Sequence, residues 1–421
     1  MISLEQLNSY SDRYKKLLLR KNFSLDLNLI SSFSRDRKEL ITKSDNYKQR
    51  RNYVSKKIGD EKRKPLQEEI IEMRNIGEKI KILDNSLNDI QEKINDYLLT
   101  IPNIPSEDVP FGNDDSQNIE VEKFGEAKIN KHSKPHWEIG SDLGIIDLPA
   151  AAVISGSRFY ILKSYGAKLQ RSIISWMLDT HVERHGYTEI DPPYLVKRDT
   201  MIGSGNLPKF EDNLYHDNET DLWLIPTAEV ALNSLHKDEI IPPYMLPLKY
   251  VARTPSFRKE HTAAGRDVRG IKRVHQFEKV EMFRYVEKDK DGLALKEMID
   301  EATYLCKELG LTYRIIKLCT GDLGFQSAET YDIEVWAPGS KEWLEVSSIS
   351  TCKEFQSRRN NTRYRPEKGS GTEFPFTLNG SGLALPRIII SILENGLEED
   401  GSISIPSVLT KYTGWDKIPK K

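Results

Sequence analysis

The stretch Val251–Tyr285 carries the residue types that could bind a nucleotide. It is predicted to form two antiparallel strands around a loop with Gly265 and Gly270, and the return strand should start near Arg273. A planar guanidinium gives donors of fixed geometry to a phosphate whose charge rises when it is attacked. Period-two alternation predicts one shared surface for five side chains: Arg258 and Glu260 on the outgoing strand, and Phe277, Lys279 and Glu281 on the returning strand.

Three further segments have residue types suited to chemistry. Thr227-Ala228-Glu229 follows a short apolar strand and places a hydroxyl and a carboxylate at the strand end, about thirty residues before Arg258. Glu345 and Ser348 lie in a predicted strand that follows a turn at Pro338-Gly339 and carry oxygen-bearing side chains. Arg387 ends the glycine-containing segment Asn379–Arg387 and precedes an apolar helix, within whose first turn Pro386 is tolerated.

Together these segments resemble the class II aminoacyl-tRNA synthetases, and their wording is most similar to the seryl-tRNA synthetases of bacterial type. Val251–Tyr285 resembles motif 2, Thr227–Glu229 the amino-acid-binding motif, and Asn379–Arg387 motif 3. The resemblance implies a serine–tRNA ligase that attaches L-serine to tRNA(Ser) through seryl-adenylate, with ATP as a substrate. Selenocysteine tRNA is a further candidate substrate.

The resemblance also implies roles for individual residues. Arg258 would hold the α-phosphate of ATP and Arg387 the γ-phosphate, and these two are the expected catalytic residues. Glu260 would read the adenine amino group, and Phe277 would stack on adenine. The full ATP set is Arg258, Lys259, Glu260, Val274, Phe277, Glu345, Val346, Ser347, Ser348 and Arg387. The serine set is Thr227, Ala228, Glu229, Glu281 and Ser381, and Mg²⁺ would bind with ATP at Glu345 and Ser348, with no zinc expected.

Some assignments keep an alternative. Glu281, which the resemblance places on the serine hydroxyl, could instead form a structural ion pair. The basic turn with Arg358, Arg359 and Arg363 could face ATP or the tRNA end, or could be a solvated loop. The segment His261–Gly270, with Arg266, Asp267 and Arg269, is expected to alternate between ATP and the tRNA acceptor end.

These residues need a scaffold, and the sequence predicts an α+β protein. The resemblance implies a catalytic domain with an antiparallel sheet flanked by helices over residues 119–421, after a linker over 101–118. Residues 1–100 would form a tRNA-binding domain. Within it we expect one short helix to about residue 24 and then an antiparallel two-helix coiled-coil arm that reverses at Pro65. The helix Gly166–Arg184 and the strand Tyr187–Ile190 resemble motif 1, which implies a homodimer.

The arm separates charge along its length. Between Arg35 and Lys64 basic residues exceed acidic residues by seven, which suits a phosphate-binding surface as well as a solvated coiled-coil flank. The resemblance favours a surface that binds the variable arm of tRNA. Two rival functions are an enzyme that charges another acceptor, such as a carrier protein, and a catalytically inactive RNA-binding paralogue. The arm disfavours the first, and Arg258, Glu260, Glu345 and Arg387 disfavour the second.

Composition limits the remaining classes. The formal net charge is −2, with 38% hydrophobic and 30% charged residues. The sequence contains no run of about 18 apolar residues, so no membrane span is predicted. The first residues do not resemble a signal peptide, so a cytoplasmic location is expected. Cys306, Cys319 and Cys352 are too few for a disulfide framework, which favours buried reduced thiols.

Overall fold

The computed structural model describes residues 1–260, 269–367 and 369–421. It separates into two compact units, one made of residues 1–19 and 23–102 and the other of residues 20–22 and 103–421. The prediction that His261–Gly270 alternates between two substrates falls mostly on residues outside this description, including Arg266 and Asp267. In the described part of the chain, none of the helices is both long enough and apolar enough to cross a membrane.

The first unit is helical. Its elements are α1 Leu4–Ser9, α2 Ser11–Leu19, α3 Leu27–Asp60 and α4 Gln67–Thr100. The single helix predicted up to about residue 24 is therefore wrong, because two helices meet at Tyr10. Ser11 and Asp12 favour a helix start over a helix interior, since their side chains compete for backbone hydrogen bonds.

The predicted antiparallel helical hairpin is confirmed. Asp26 caps α3 by accepting hydrogen bonds from Asn28 N and Leu29 N, each 3.0 Å long, and the chain reverses between α3 and α4. Val54, Ile76, Ile80 and Ile94 are buried apolar residues of this pair, and the buried Ser44 of α3 donates a hydrogen bond of 3.0 Å to Asp84 Oδ1 of α4. Ile70, also predicted in the seam, is 46% exposed, because it lies in the first turn of α4.

The second unit contains a large sheet with small accessory sheets and helices. Its strands are β1 Ile119–Phe124, β2 Ile146–Asp147, β3 Ile161–Leu162, β4 Thr188–Glu189, β5 Leu195–Lys197, β6 His216–Asp217, β7 Leu222–Leu224, β8 Ile240–Ile241, β9 Leu248–Phe257, β10 Gln276–Val286, β11 Tyr313–Lys317, β12 Glu329–Ala337, β13 Glu342–Lys353, β14 Arg363–Tyr364, β15 Phe376–Ala384, β16 Ile403–Ser404 and β17 Lys417–Ile418. Its helices are α5 His136–Asp142, α6 Leu148–Ser155, α7 Tyr165–Asp179, α8 Arg198–Ser204, α9 Glu229–Leu232, α10 Asp291–Glu308, α11 Phe355–Arg359, α12 Leu385–Asn395 and α13 Ser407–Thr413.

The large sheet has the strand order β1-β11-β12-β13-β15-β10-β9-β4. Its neighbours pair antiparallel except for β4, which runs parallel to β9. The α+β class with an antiparallel catalytic sheet is therefore confirmed. Helices α7, α10 and α12 pack on the sheet or on one another and bury one large apolar core.

Alternation along β10 divides its side chains between two environments. Val280 and Met282 belong to the apolar core on the helical side of the sheet. Phe277 and Lys279 line a cavity on the other side, and Glu281 pairs with Lys279 there. The predicted shared face of Phe277, Lys279 and Glu281 is thus confirmed.

The outgoing strand is shorter than predicted. β9 ends at Phe257, so Arg258 and Glu260 follow the strand and are not placed by its alternation. Glu260 has a φ of 50°, which lies in the left-handed region and turns the chain. The return strand begins at Gln276, three residues after the predicted Arg273.

Three other segments differ from expectation. The last five residues of the predicted helix Gly166–Arg184 form a π-helical turn, Thr180–Arg184, and the following strand covers only Thr188–Glu189. The chain after Asn103, where we expected a linker, joins the second unit. The Asn103 side-chain amide donates to Gln326 O and to Cys352 O, each at 2.8 Å. The cysteines Cys306, Cys319 and Cys352 are buried free thiols, as predicted.

Candidate active site

A cavity of about 810 Å³ opens on the sheet face opposite the large helices. Strands β10, β12, β13 and β15 contribute to its walls, together with the chain before α9 and the start of α12. It brings together most of the predicted site residues: Thr227, Glu229, Arg258, Glu260, Val274, Phe277, Glu345, Ser348, Ser381 and Arg387. The sequence segments that bear functional groups therefore meet at one place.

Five predicted site residues do not line this cavity with their side chains. Ala228 and Val346 are buried in apolar clusters. Ser347 is buried and donates a hydrogen bond of 2.6 Å to Ser381 O. The Lys259 ammonium lies 5.7 Å from the centre of the Tyr215 ring. The fifth residue, Glu281, is 1% exposed and reaches the cavity wall through its neighbours.

Glu229 lies at the buried end of the cavity. Its Oε1 accepts hydrogen bonds from Gln356 Nε2 at 2.6 Å and from Asn379 Nδ2 at 2.8 Å. Burial raises the pKa of Glu229 from 4.5 to about 7, and the negative charge of Glu281 adds to the rise. A ligand with an ammonium group would lower the pKa of Glu229 again, because a positive charge beside the carboxylate favours its ionised form.

Glu281 forms a small polar cluster beside Glu229. Thr227 Oγ1 donates to Glu281 Oε2 at 2.8 Å, and Lys279 Nζ donates to Thr227 Oγ1 at 3.2 Å. Lys279 also forms an ion pair with Glu281. The alternative of an ion pair at Glu281 is thus present in the structure, and the pair lies next to residues of the cavity wall. A hydroxyl group could join this cluster as donor to Glu281.

Arg258 and Phe277 also line the cavity. The Arg258 guanidinium lies 5.3 Å from the centre of the Phe277 ring, and its Nε donates to Pro226 O at 3.2 Å. Arg258 N also donates to His275 O at 2.9 Å, which fixes the backbone beyond the end of β9. A flat apolar ring beside a guanidinium suits a base next to a phosphate.

Glu260 is held by two arginines that the sequence did not single out. Arg158 Nη1 donates to Glu260 O at 2.9 Å, and Arg273 Nη1 lies 3.6 Å from Glu260 Oε2. Glu260 and Arg273 both line the cavity, so these two contacts hold the Glu260 segment at the cavity wall.

Arg387 and Glu345 meet at the third part of the wall. Arg387 Nη1 donates to Glu345 O at 2.5 Å and lies 3.4 Å from Glu345 Oε1. Burial opposes ionisation of Glu345, but the positive charges of Arg387 and Arg258 outweigh it and lower the pKa of this carboxyl group. Arg387 is therefore next to a carboxylate that stays ionised.

A β-bulge brings Glu345 and Ser348 to the same wall. The register between β12 and β13 pairs Ile333 with Ser347 and Glu334 with Glu345, so Val346 is the additional residue. Without the bulge, residues three apart on a strand would face opposite sides. The bulge turns Val346 into the apolar core and lets Glu345 and Ser348 both line the cavity.

The side-chain oxygens of Glu345 and Ser348 are of the type that binds a divalent cation, and a phosphate bound in the cavity could supply further oxygen ligands. Within the described residues, no group of three or more His, Cys, Asp or Glu side chains has the arrangement of a metal site. Asp332 stands opposite Ser348 on β12, and its buried Oδ1 has no hydrogen-bond partner among these residues. Burial and the neighbouring charge of Glu345 raise the pKa of Asp332 well above its usual value. A cation bound beside Asp332 and Glu345 would be favourable, because its positive charge would stabilise the ionised form of both carboxyl groups.

Sequence reasoning assigned no role to three residues of this site. Gln356 and Asn379 hold Glu229, and Lys279, which was predicted only to share a face with Glu281, forms an ion pair with it. Asn379 stands in the segment that resembles motif 3, which gave a signal. Gln356 gave none, because it reaches Glu229 from α11 only through the tertiary fold.

The basic turn is neither a cavity wall nor a solvated loop. Arg359 Nη1 donates to Ile202 O at 3.0 Å and to Leu207 O at 3.1 Å, and its guanidinium lies 4.5 Å from the centre of the Phe355 ring. Arg358 forms an ion pair of 2.8 Å with Glu354. These two arginines stabilise the scaffold around α8 and α11.

Comparison with known proteins places both units. Residues 1–105 match the seryl-tRNA synthetase N-terminal domain family, and residues 209–396 match the tRNA synthetase class II core domain family (G, H, P, S and T). The serine–tRNA ligase of Thermomicrobium roseum is 50% identical over 98% of this chain and 94% of its own length.

Two solved structures are similar over the whole chain. The seryl-tRNA synthetase of Pyrococcus horikoshii, complexed with ATP, has a TM-score of 0.93 and 34% identity, with 100% of both chains covered. The cytoplasmic serine–tRNA ligase of Naegleria fowleri, in complex with AMP, has a TM-score of 0.87 and 26% identity, with 100% of this chain and 99% of that chain covered.

Proposed function

This chain belongs to the seryl-tRNA synthetase family and attaches serine to tRNA with ATP; we propose that the cavity of its second unit forms the seryl-adenylate intermediate, with the residue roles given below. The observation that carries the proposal is that one cavity is lined both by the buried carboxylate Glu229 and by the arginines Arg258 and Arg387. We take Glu229 as the ammonium end of the site and the two arginines as its phosphate end. The serine carboxylate would then lie between these groups, where it can attack the α-phosphate.

The phosphate end stabilises charge and needs no protein nucleophile. Arg258 would bind the α-phosphate, whose negative charge rises during attack, and Arg387 would bind the γ-phosphate of the leaving pyrophosphate. Phe277 would stack on adenine and Glu260 would accept a hydrogen bond from its amino group. The contacts that hold Arg258 and the Glu260 backbone favour these roles, because residues already held in place need less ordering on binding.

We assign Mg²⁺ to Glu345 and Ser348. The ionised Glu345 and the hydroxyl of Ser348 are hard oxygen donors, and Mg²⁺ usually takes only one or two carboxylates plus phosphate oxygens and water. The ion would neutralise charge on the phosphates of ATP. The chain's own part is to hold these two oxygens at the wall through the bulge of β13.

Serine would be recognised by its ammonium and hydroxyl groups. Glu229 would bind the ammonium group together with Thr227, and Glu281 and Ser381 would contact the hydroxyl. Glu281 is buried, so an amino acid without a hydroxyl would leave it without one hydrogen bond. For Ala228, Val346, Ser347 and Lys259 we propose main-chain contacts or support of neighbouring residues, since their side chains do not line the cavity.

We propose that residues 1–100 bind tRNA(Ser), with selenocysteine tRNA as a second substrate, while residues 119–421 carry the catalysis. The exposed basic side chains of α3 support a phosphate contact. Several other basic residues of the arm are already paired, such as Lys48 with Asp84 and Arg50 with Glu72. We further propose a cytoplasmic homodimer. Val153 and Ile154 of α6 are 88% and 74% exposed, which supports an interface between copies of the chain.

The test of the central proposal is amino-acid-dependent ATP–pyrophosphate exchange with each of the twenty amino acids. Serine should support exchange, and Arg258→Ala should lower kcat/KM for ATP by about 100-fold or more, since a charge-stabilising donor in the transition state is lost. An exchange reaction that serine does not support would overturn the proposal.

The role of the arm is tested with neutral substitutions on its two helices. The triple variant Lys38→Gln, Arg51→Gln, Lys56→Gln on α3 should raise KM for tRNA and weaken its salt dependence, because phosphate contacts are lost. The charge-matched control is Arg74→Gln, Lys81→Gln, Lys93→Gln on the more acidic α4, which should change less. Serine-dependent exchange should stay unchanged in both. Equal effects of the two sets on tRNA charging would contradict the assignment to α3.

A further inference from the structure

We propose that His136 and Glu394 form a positioning pair that holds one wall of the cavity, residues 272–274, in place for ATP. The sequence segment around His136 took no part in the function described so far. The inference rests on the proposed adenylation function and adds positioning residues to it.

Glu394 is a fully hydrogen-bonded buried carboxylate. Its Oε1 accepts from His136 N at 2.9 Å and from Ser340 Oγ at 2.7 Å, and its Oε2 accepts from Gly339 N and Ser340 N, each at 2.9 Å. The side chains of His136 and Glu394 are both 0% exposed. Burial opposes ionisation, but these donors hold the pKa of Glu394 below its usual value. Glu394 is therefore a fixed anion.

His136 connects this anion to the cavity wall. His136 Nδ1 lies 3.0 Å from Glu394 Oε1, and His136 Nε2 lies 3.1 Å from Ile271 N. A carboxylate accepts and a backbone N–H donates, so Nδ1 must carry the proton and Nε2 must be the acceptor. The imidazole is thus neutral, in a single tautomer. A protonated ring would place two donors against each other at Ile271.

The backbone beside this contact has room for one residue type. Gly270 has a φ of 73°, in the left-handed region, and a Cβ on it would overlap the His136 ring at Nε2. The neighbouring Arg269 guanidinium lies 4.8 Å from the centre of the Trp137 ring. Two consecutive residues of α5, His136 and Trp137, thus contact three consecutive residues, 269–271.

The residues after Ile271 form the cavity wall. Lys272, Arg273 and Val274 all line it. Lys272 Nζ forms an ion pair of 2.6 Å with Glu342, and Arg273 reaches Glu260, the proposed adenine reader. Ile271 is fully buried, so the hydrogen bond from its N–H to His136 sets where this wall begins.

The pair also links the wall to the helix that carries Arg387. Arg387 and Glu394 lie in α12, near its first and last turns, at a separation of about 10 Å along the axis from the helical rise. One helix therefore holds the proposed phosphate-binding arginine at one end and the anchor of residues 272–274 at the other. We infer that this arrangement fixes the spacing between Arg387 and that wall.

The experiment measures serine-dependent ATP–pyrophosphate exchange in the full-length protein with two amide variants. In His136→Asn the amide can still donate to Glu394, but it is too short to reach Ile271 N. In His136→Gln the longer amide can offer its oxygen to Ile271 N. We expect KM for ATP to rise about tenfold in the Asn variant, the effect of about one hydrogen bond, with partial recovery in the Gln variant. KM for serine should stay near the wild-type value in both.

The matched control is His132→Asn. His132 precedes α5, and its Nε2 lies 2.9 Å from Leu397 O, away from the cavity wall. This control should leave KM for ATP unchanged. If His136→Asn folds and also keeps the wild-type KM for ATP, or if it raises the KM values of ATP and serine equally, the proposal is overturned. Absence of exchange in the wild type would instead refute the adenylation function itself.

A second perturbation reaches the same contact from the other side. Gly270→Ala forces a Cβ toward His136, and it should raise KM for ATP in the same direction as His136→Asn. In the double variant Gly270→Ala, His136→Ala the collision is removed, so the combined effect should be smaller than the product of the effects of the single variants Gly270→Ala and His136→Ala, measured in the same assay. Simple multiplication of the single effects would mean that residues 136 and 270 act independently, and it would refute the positioning role.

Discussion

The raised pKa of Glu229 predicts how serine binding depends on pH. The carboxyl group has a pKa of about 7 in the ligand-free protein, because burial and the nearby Glu281 oppose its charge. The serine ammonium stays protonated across this range and needs the ionised carboxylate. Serine should therefore bind tightly at pH values above 7 and weakly at pH values below 7. At pH 6 about one molecule in ten is ionised, so kcat/KM for serine should be about tenfold below its plateau.

The matched variant is Glu229→Gln. Both hydrogen bonds, from Gln356 and from Asn379, go to Oε1, so the amide oxygen of Gln can accept both and the packing is retained. The lost interaction is a charged hydrogen bond worth about 1.5–3 kcal/mol, which corresponds to a decrease in kcat/KM for serine of about 10- to 150-fold. The variant should also lose the inflection near pH 7.

The assay is initial-rate ATP–pyrophosphate exchange at limiting serine between pH 5.5 and 8.5, with KM for ATP measured in parallel. KM for ATP should not follow the same inflection. A variant profile that keeps the wild-type inflection would refute the assignment of the pKa to Glu229.

The free energy of unfolding gives an independent check, because it should fall with rising pH while serine binding improves. A folded-state pKa raised above 4.5 contributes stability that is complete below the unfolded value and is lost as the pH rises through about 7. The ligand-free wild type should thus lose stability relative to Glu229→Gln over that window, measured by urea denaturation. An unchanged difference between the two proteins from pH 4 to pH 8 would contradict the raised pKa.

Two further predictions concern specificity and packing. Glu281→Gln should lower kcat/KM for serine by about 10- to 100-fold while exchange with alanine changes little, because only serine offers a hydroxyl; equal losses would contradict a hydroxyl contact. Gly203→Ala should cost about 1–3 kcal/mol of unfolding free energy, since a Cβ there would overlap the Asn360 side chain, whereas Gly59→Ala in α3 has open space and should be neutral or stabilising by urea denaturation. Equal effects of the two glycine substitutions would contradict the packing at Gly203.

Much of the fold could be predicted from local patterns. The arm was predictable because apolar residues recur at threes and fours between Leu66 and Leu99 and seven apart from Phe33 to Val54, with a proline between the two stretches. The shared face of Phe277, Lys279 and Glu281 was predictable because β10 is regular over that span. The break at Tyr10 was missed, because the helical spacing of apolar residues continues through this point although the helix itself is interrupted there.

Residues close in sequence were harder to place where the strands are irregular. Glu345 and Ser348 are three apart, so a regular strand would separate them, and their grouping came from resemblance to a family. Only the register of β13 against β12 shows the bulge that unites them. Arg258 and Glu260 were assigned a strand face by the same alternation, but β9 ends before them. Their position depends instead on contacts with Pro226 and Arg158.

The sequence by itself determined the chemistry available to this protein: the arginines, carboxylates and hydroxyls, their order along the chain, and the helical arm. Those features are local, so composition and period reveal them. The tertiary structure alone decided the state of each group. Glu229 has a pKa near 7 because Glu281 and a buried environment surround it, and His136 reaches Ile271 across 135 residues. Such effects depend on distances and dielectric surroundings that no local pattern encodes.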